Sequence, residues 1–234
     1  MGVFNKDKYP DIYKLREMGN MTGVKGLIKA LHHKEYSARF GAAEALGSPF
    51  YWGNKFKKGS HDKVRAMIIK NLIPMLKDEH QDVRMHTIKS LTKLWSSVNM
   101  KDDFPDKTIL HKSALDAAIP LLKDKNSRIR LETAYLLSEI GDPSVIEPIA
   151  ETLLEEPLEH QDEFYPLNLT IALKGMCDDK CSHIVRHLCS ALNEENVNSN
   201  NDELMETLQK ITGEHFSQVK EWKEWFEKNK ENFQ

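Results

Sequence analysis

The chain has 234 residues, 40% of them hydrophobic and 29% charged, with a formal net charge of −3. That balance excludes a disordered chain, and no stretch approaches the roughly 18–20 apolar residues that span a bilayer. Three cysteines are too few for a disulfide framework, and MGVFNKDKYPDIYKL lacks the apolar core of a secretory signal, so the expected location is cytoplasmic.

Apolar residues recur at helical spacing along most of the chain, and neither alternating runs nor Asn-Gly or Asp-Gly hairpin turns appear. An all-α fold is expected. Residues 7–18 read as a first helix, stopped by Gly19-Asn20 as a left-handed cap. Residues 24–31 and 37–46 form a first helix pair, ended by Gly47-Ser48-Pro49. The segment Phe50–Gly59 then interrupts with three consecutive aromatics and a basic cluster. It reads as a loop packed over the end of a repeat, as a protein contact, or as a surface for single-stranded nucleic acid.

Residues 61–76 and 81–96 form the second pair, and 108–122 and 127–140 the third. Pro74 and Pro120 occupy equivalent positions in the first helices, where each removes a backbone donor and predicts a kink. A fourth pair spans 143–154 and 162–176, joined by EEPLEHQDEF. A fifth spans 181–192 and 201–211. In Cys177–Cys189, His183 and His187 stand one turn apart, a spacing that can chelate a metal. The spacing matches no known finger, and Cys189 shares the apolar side with Val185 and Leu192, so no metal or cofactor is assigned. A last helix, 218–230, carries Trp222, Trp225 and Phe226 on one side.

The chain also repeats itself. Leu72–Leu94 (LIPMLKDEHQDVRMHTIKSLTKL), Ala118–Ile140 (AIPLLKDKNSRIRLETAYLLSEI) and Leu27–Leu46 (LIKALHHKEYSARFGAAEAL) share an apolar run, a polar break, an Arg and a second apolar run. The arginines Arg39, Arg84 and Arg130 lie 45 and 46 residues apart, a period typical of stacked helical repeats. Stacked repeats act through extended surfaces rather than a buried cleft.

LIPMLKDEHQDVR, AIPLLKDKNSRIR and RFGAAEALG resemble HEAT repeats, specifically the short HEAT-like repeats named after phycobilisome lyases. LQKITGEHFSQVKEWKEWFEKN resembles the closing segment of such arrays. The resemblance implies an α-α superhelix of about five helix pairs. The expected organisation is one domain over 1–234: a capping helix in 1–23, repeats in 24–212 and a capping helix in 213–234. It also implies polar links between turn Asp and second-helix Arg, matched here by Asp78 with Arg84 and Asp124 with Arg130. The first repeat has His33 in place of the Asp. Second helices line the concave side of a HEAT-like stack, which would set Phe40, Met85, Leu131 and Leu167 in one row. Glu44, Lys89, Tyr135 and Ile171, four residues further on, would form the next. Such a stripe either packs between repeats or forms a groove for a partner helix or peptide.

No Gly-rich phosphate loop, GxSxG, HExxH or CxxC is present. HEAT-like deoxyhypusine hydroxylases use His-Glu dipeptides as iron ligands, and this chain has only the reverse, at Glu79-His80, Glu159-His160 and Glu214-His215. Charge is uneven: residues 1–117 hold 21 Lys and Arg against 13 Asp and Glu, or +8, and residues 118–234 hold 12 against 23, or −11. HEAT-like DNA glycosylases need a basic concave face, so the acidic half counts against that activity. The expectation is a non-catalytic scaffold for a protein or peptide, with no membrane partner. Nucleic-acid binding or glycosylase activity through the basic half is the alternative.

Overall fold

The computed structural model describes residues 11–48, 61–96, 104–155, 165–178, 180–194 and 199–233. The segment Phe50–Gly59, the first turns of the helix expected from residue 7, and most of the EEPLEHQDEF turn lie outside the described residues. Every regular element among the described residues is helical, and the fold class is the all-α repeat superhelix. The chain divides into two compact units, Met1–Glu139 and Ile140–Gln234.

In the first unit, α1 (Ile12–Met18) starts at Asp11, whose carboxylate accepts from the Lys14 amide at 2.9 Å. It ends at Gly19, left-handed with φ 55° as expected, and Asn20 then caps α2 (Met21–Ala30) by accepting from the Gly23 amide at 3.1 Å. Next come α3 (Tyr36–Leu46), α4 (His61–Leu72), α5 (Gln81–Ser96), α6 (Lys107–Ala118) and α7 (Ser127–Ile140). The two prolines change the helix type rather than bend a continuous helix. After Leu72 and Ala118 the chain tightens into 3₁₀ turns, Ile73–Lys77 and Ile119–Lys123, each with its Pro in the first two positions. There the missing N–H lies among groups that a helix start leaves unpaired.

These helices form two layers. First helices touch one another, α2 against α4 and α4 against α6, and second helices do the same, α3 against α5. Between the layers lie Leu27, Ile69, Leu72 and Leu76 from the first helices and Leu46, Val83, Ile88 and Leu91 from the second, all fully buried. The α3–α5 contact is close because small residues fill it. The Ser90 hydroxyl donates to the Ala43 carbonyl at 2.8 Å, and a Cβ on Gly47 would fall 2.6 Å from the Ser90 Cα.

In the second unit a 3₁₀ turn, Pro143–Val145, leads into α8 (Ile146–Glu155), followed by α9 (Tyr165–Met176). A further 3₁₀ turn, Ser182–Ile184, opens α10 (Val185–Ala191), and α11 (Ser199–Thr212) and α12 (Val219–Asn229) follow. The layering recurs, with α8 against α10 and α9 against α11, while α12 packs on α10 and α11.

Candidate partner-binding face

Each second helix of the first unit is fixed by its arginine. Arg39 donates from Nε to Asp78 Oδ2 at 2.7 Å and from Nη2 to Asp78 Oδ1 at 3.0 Å, while Nη1 donates to the carbonyls of His33 and Lys34, both at 3.0 Å. Arg84 repeats this one unit along. Its Nε and Nη2 reach Asp124 Oδ2 at 2.9 and 2.8 Å, and Nη1 donates to the carbonyls of Asp78 at 2.9 Å and Glu79 at 3.2 Å. Arg130 Nη1 donates to the Asp124 carbonyl at 2.7 Å.

The expected pairing is therefore displaced by one repeat. Within a repeat the arginine holds only the turn's carbonyls, and the turn's carboxylate goes to the arginine of the preceding repeat. The links run between repeats, and the fork of the guanidinium is what allows one side chain to serve both. The first repeat keeps its link despite lacking the Asp, because its acceptor, Asp78, comes from the next repeat. His33 takes over the other duty of that Asp. Its Nδ1 accepts from the Glu35 amide at 3.1 Å, as Asp78 Oδ1 accepts from the His80 amide and Asp124 Oδ1 from the Asn126 amide, both at 2.9 Å.

With the helices so held, Phe40, Met85 and Leu131 are all half-buried: each uses part of its surface in packing and leaves part open. Of the residues one turn on, Glu44 is exposed, Tyr135 is half-buried, and Lys89 bridges to Glu132 at 3.2 Å. Burial, with the Glu132 charge, raises the Tyr135 phenol above its ordinary value, so it stays a neutral donor. Leu167 lies in α9, its side chain outside the described residues, and Ile171 in the same helix is 42% exposed.

The sequence pattern missed the residues that bridge these positions. Tyr36, one turn before Phe40, stacks on His80 with ring centroids 3.6 Å apart, and Phe40 meets His86 at 4.8 Å. Asn126 Nδ2 donates to Gln81 Oε1 at 3.1 Å. Between α5 and the start of α7 opens a pocket of about 410 Å³, with Met85, His86, Lys89, Asn126 and Arg128 in its lining. Burial lowers the His86 imidazole below its ordinary value against the pull of Glu44, so at neutral pH it is uncharged. The sequence carries no recurrence that marks them, since the equivalent positions differ in type (Tyr36, Gln81 and Ser127; Glu35, His80 and Asn126) and a search for apolar rows passes over them.

The Cys/His segment is organised by packing. Cys177, Cys181 and Cys189 are buried free thiols, and desolvation pushes Cys189 up to about 12 and Cys177 further. Such thiols are inert. His183 and His187 both turn to the Glu147 carboxylate, at 3.9 and 3.6 Å, with Arg186 on it at 3.2 Å. Among the described residues no group of His, Cys, Asp and Glu is arranged to hold a metal ion, and no helix is long and apolar enough to cross a membrane.

Residues 69–160 match the family model for HEAT repeats. Over that span the chain is similar to HEAT repeats. The match begins within α4, takes in α5 to α8 and the Arg84–Asp124 link, and does not single out the phycobilisome-lyase type. The crystal structure of an engineered protein from the Northeast Structural Genomics Consortium is similar, with a TM-score of 0.57 over 87% of this chain and 85% of that one. At 19% identity this likeness establishes the fold alone. No curated protein matches the chain.

Proposed function

We propose that this chain is a non-catalytic cytoplasmic scaffold of HEAT-like repeats that takes an amphipathic peptide or helix on the second-helix face. Residues 24–212 act as the repeats, and 1–23 and 213–234 as caps. The observation that supports the reading is that Phe40, Met85 and Leu131, at equivalent positions on three successive second helices, are each half-buried, with Glu44, Lys89 and Tyr135 one turn on exposed or half-buried. An apolar strip with polar borders is the complement of an amphipathic helix. The arginine links hold the three helices at fixed spacing, so little ordering cost falls on the receptor when a partner binds. Leu167 and Ile171 hold the equivalent sequence positions on α9 of the second unit.

Selection of a phage-displayed helical peptide library on the immobilised full-length chain tests this. Selected peptides should lose about tenfold or more in affinity on Met85→Glu, as expected for a central apolar contact. The melting temperature should change little, because Met85 is only half-buried. Peptides indifferent to Met85→Glu, or a variant that mainly loses stability, would return the row to ordinary packing.

A further inference from the structure

The positive surplus of the first unit is concentrated in one layer. The first helices with their 3₁₀ turns, over 21–31, 61–77 and 107–123, hold nine Lys and Arg against two Asp. The second helices α3, α5 and α7 hold six cations against four acids, and Arg39 and Arg84 among those cations are closed on Asp78 and Asp124. Six lysines of the first-helix layer, Lys25, Lys29, Lys63, Lys70, Lys77 and Lys112, are exposed, and their ammonium groups have no partner among the described residues. Of the two acids, Asp62 is engaged with Arg65 at 3.7 Å.

Two of the lysine positions recur in a neighbouring repeat: Lys25 with Lys70, and Lys77 with Lys123, at the spacings of 45 and 46 that separate the arginines, while the third copy of the first pair is Asp116. The helices α2, α4 and α6 touch in series, and packed helices lie about 8–10 Å apart. Lys25 on α2 and Lys70 on α4 therefore stand at about that pitch, with Lys112 on α6 adding a further exposed ammonium group. A nucleic-acid duplex presents a phosphate charge about every 1.7 Å of axis, so such an array meets phosphates without a defined register.

We infer that the first-helix layer of this unit is a docking face for double-stranded nucleic acid, read through its phosphates and not its bases. Its exposed cations are lysines, mobile point charges suited to phosphate and not to bidentate recognition of base edges. The face has little with which to enter a bilayer or anchor a protein. Its exposed large apolar side chains are Met21, at 37%, and Ile109, at 67%. This surface is distinct from the second-helix face, and either reading can fail without the other.

Fluorescence anisotropy of the full-length chain with a labelled 20-base-pair duplex of arbitrary sequence, at 50 and 200 mM NaCl, tests the inference. Four neutralised phosphates give a loss of about 100-fold between those salts. Lys25→Glu with Lys70→Glu should weaken binding at least tenfold and reduce the salt slope by about two. Lys93→Glu with Arg128→Glu, the same charge change on the second-helix face, should leave affinity within about twofold. Circular dichroism confirms folding of both doubles, whose replaced side chains are exposed. No binding at 50 mM overturns the inference, and so does equal weakening by the two doubles, which would mean net charge alone. Tighter association with phosphatidylserine vesicles than with the duplex, abolished by the first double, would reassign the face to a membrane surface and equally overturn it.

Discussion

Arg84 is 10% exposed and Asp124 7%, and the guanidinium satisfies a carboxylate of one repeat and two carbonyls of another. Replacing one member of a buried pair strands the other without water, at a cost of about 3–5 kcal/mol. Arg84→Met should lose about that much in urea denaturation, and Arg84→Lys should recover little, because the donors of an ammonium share one nitrogen and cannot span acceptors that Nε, Nη1 and Nη2 reach on two repeats. A full recovery by Lys would mean that charge alone matters at this position. Asp78 carries the pH dependence of the same ladder. Burial pushes its carboxyl up, but the Arg39 hydrogen bonds, the His80 amide and the Arg39 charge outweigh this, and its pKa lies below the ordinary value. A carboxylate lowered in the folded state contributes stability that is fully present above its unfolded value, about 3.9, and is lost as pH falls towards the folded value. Wild-type protein should therefore weaken below about pH 4, and Asp78→Asn should be less stable at pH 7 with a flatter profile in that acid range. Parallel profiles for the two proteins would show that other carboxylates set the acid limb.

At the scale of the element, α12 shows how far a pattern reading reaches. The helix begins with a capping box, Gln218 with Glu221, and Glu221 Oε2 accepts from the amides of Ser217 at 3.1 Å and Gln218 at 3.0 Å. Its spacing puts Trp222, Trp225 and Phe226 on one side, yet only Trp222 is fully buried. Trp222 meets Phe216 at 5.0 Å and Trp225 at 5.7 Å, while Phe233 folds back to Trp225 at 5.5 Å. The other two aromatics are half-buried: this last helix packs on α10 and α11, and Phe233 from the closing 3₁₀ turn covers Trp225 and Phe226 only in part. Trp222→Ala removes the largest wholly buried side chain among the described residues and should cost about 3–5 kcal/mol. Amide exchange should then rise across α10 and α11, with α3 and α5 unchanged. Exchange that rises everywhere would mean the two units unfold as one, and exchange that rises nowhere would free the tryptophan for a docking role.

Across the whole molecule, the two units share one construction: first helices against first, second against second, with the apolar surfaces between. The all-α class, the helix pairs and their period were legible in the order of residues, because a 3.6-residue apolar rhythm and a 45-residue recurrence are local properties. So was the identity of the polar ladder, since an Arg recurs in all three copies and an Asp in two of them. Its connectivity was not legible. Which Asp an Arg meets depends on the offset between stacked repeats, and within one repeat Asp78 and Arg84 look like partners although Asp78 binds Arg39. His33 looked like a gap for the same reason, since its imidazole replaces the Asp only in the local turn. The charge of the first half could be counted along the chain, whereas its placement on the first-helix layer appears only when α2, α4 and α6 are brought side by side. A sequence states which residues recur and how far apart. Tertiary packing alone sets which copies touch, because contacts between repeats join residues some 40 positions apart that no local periodicity relates.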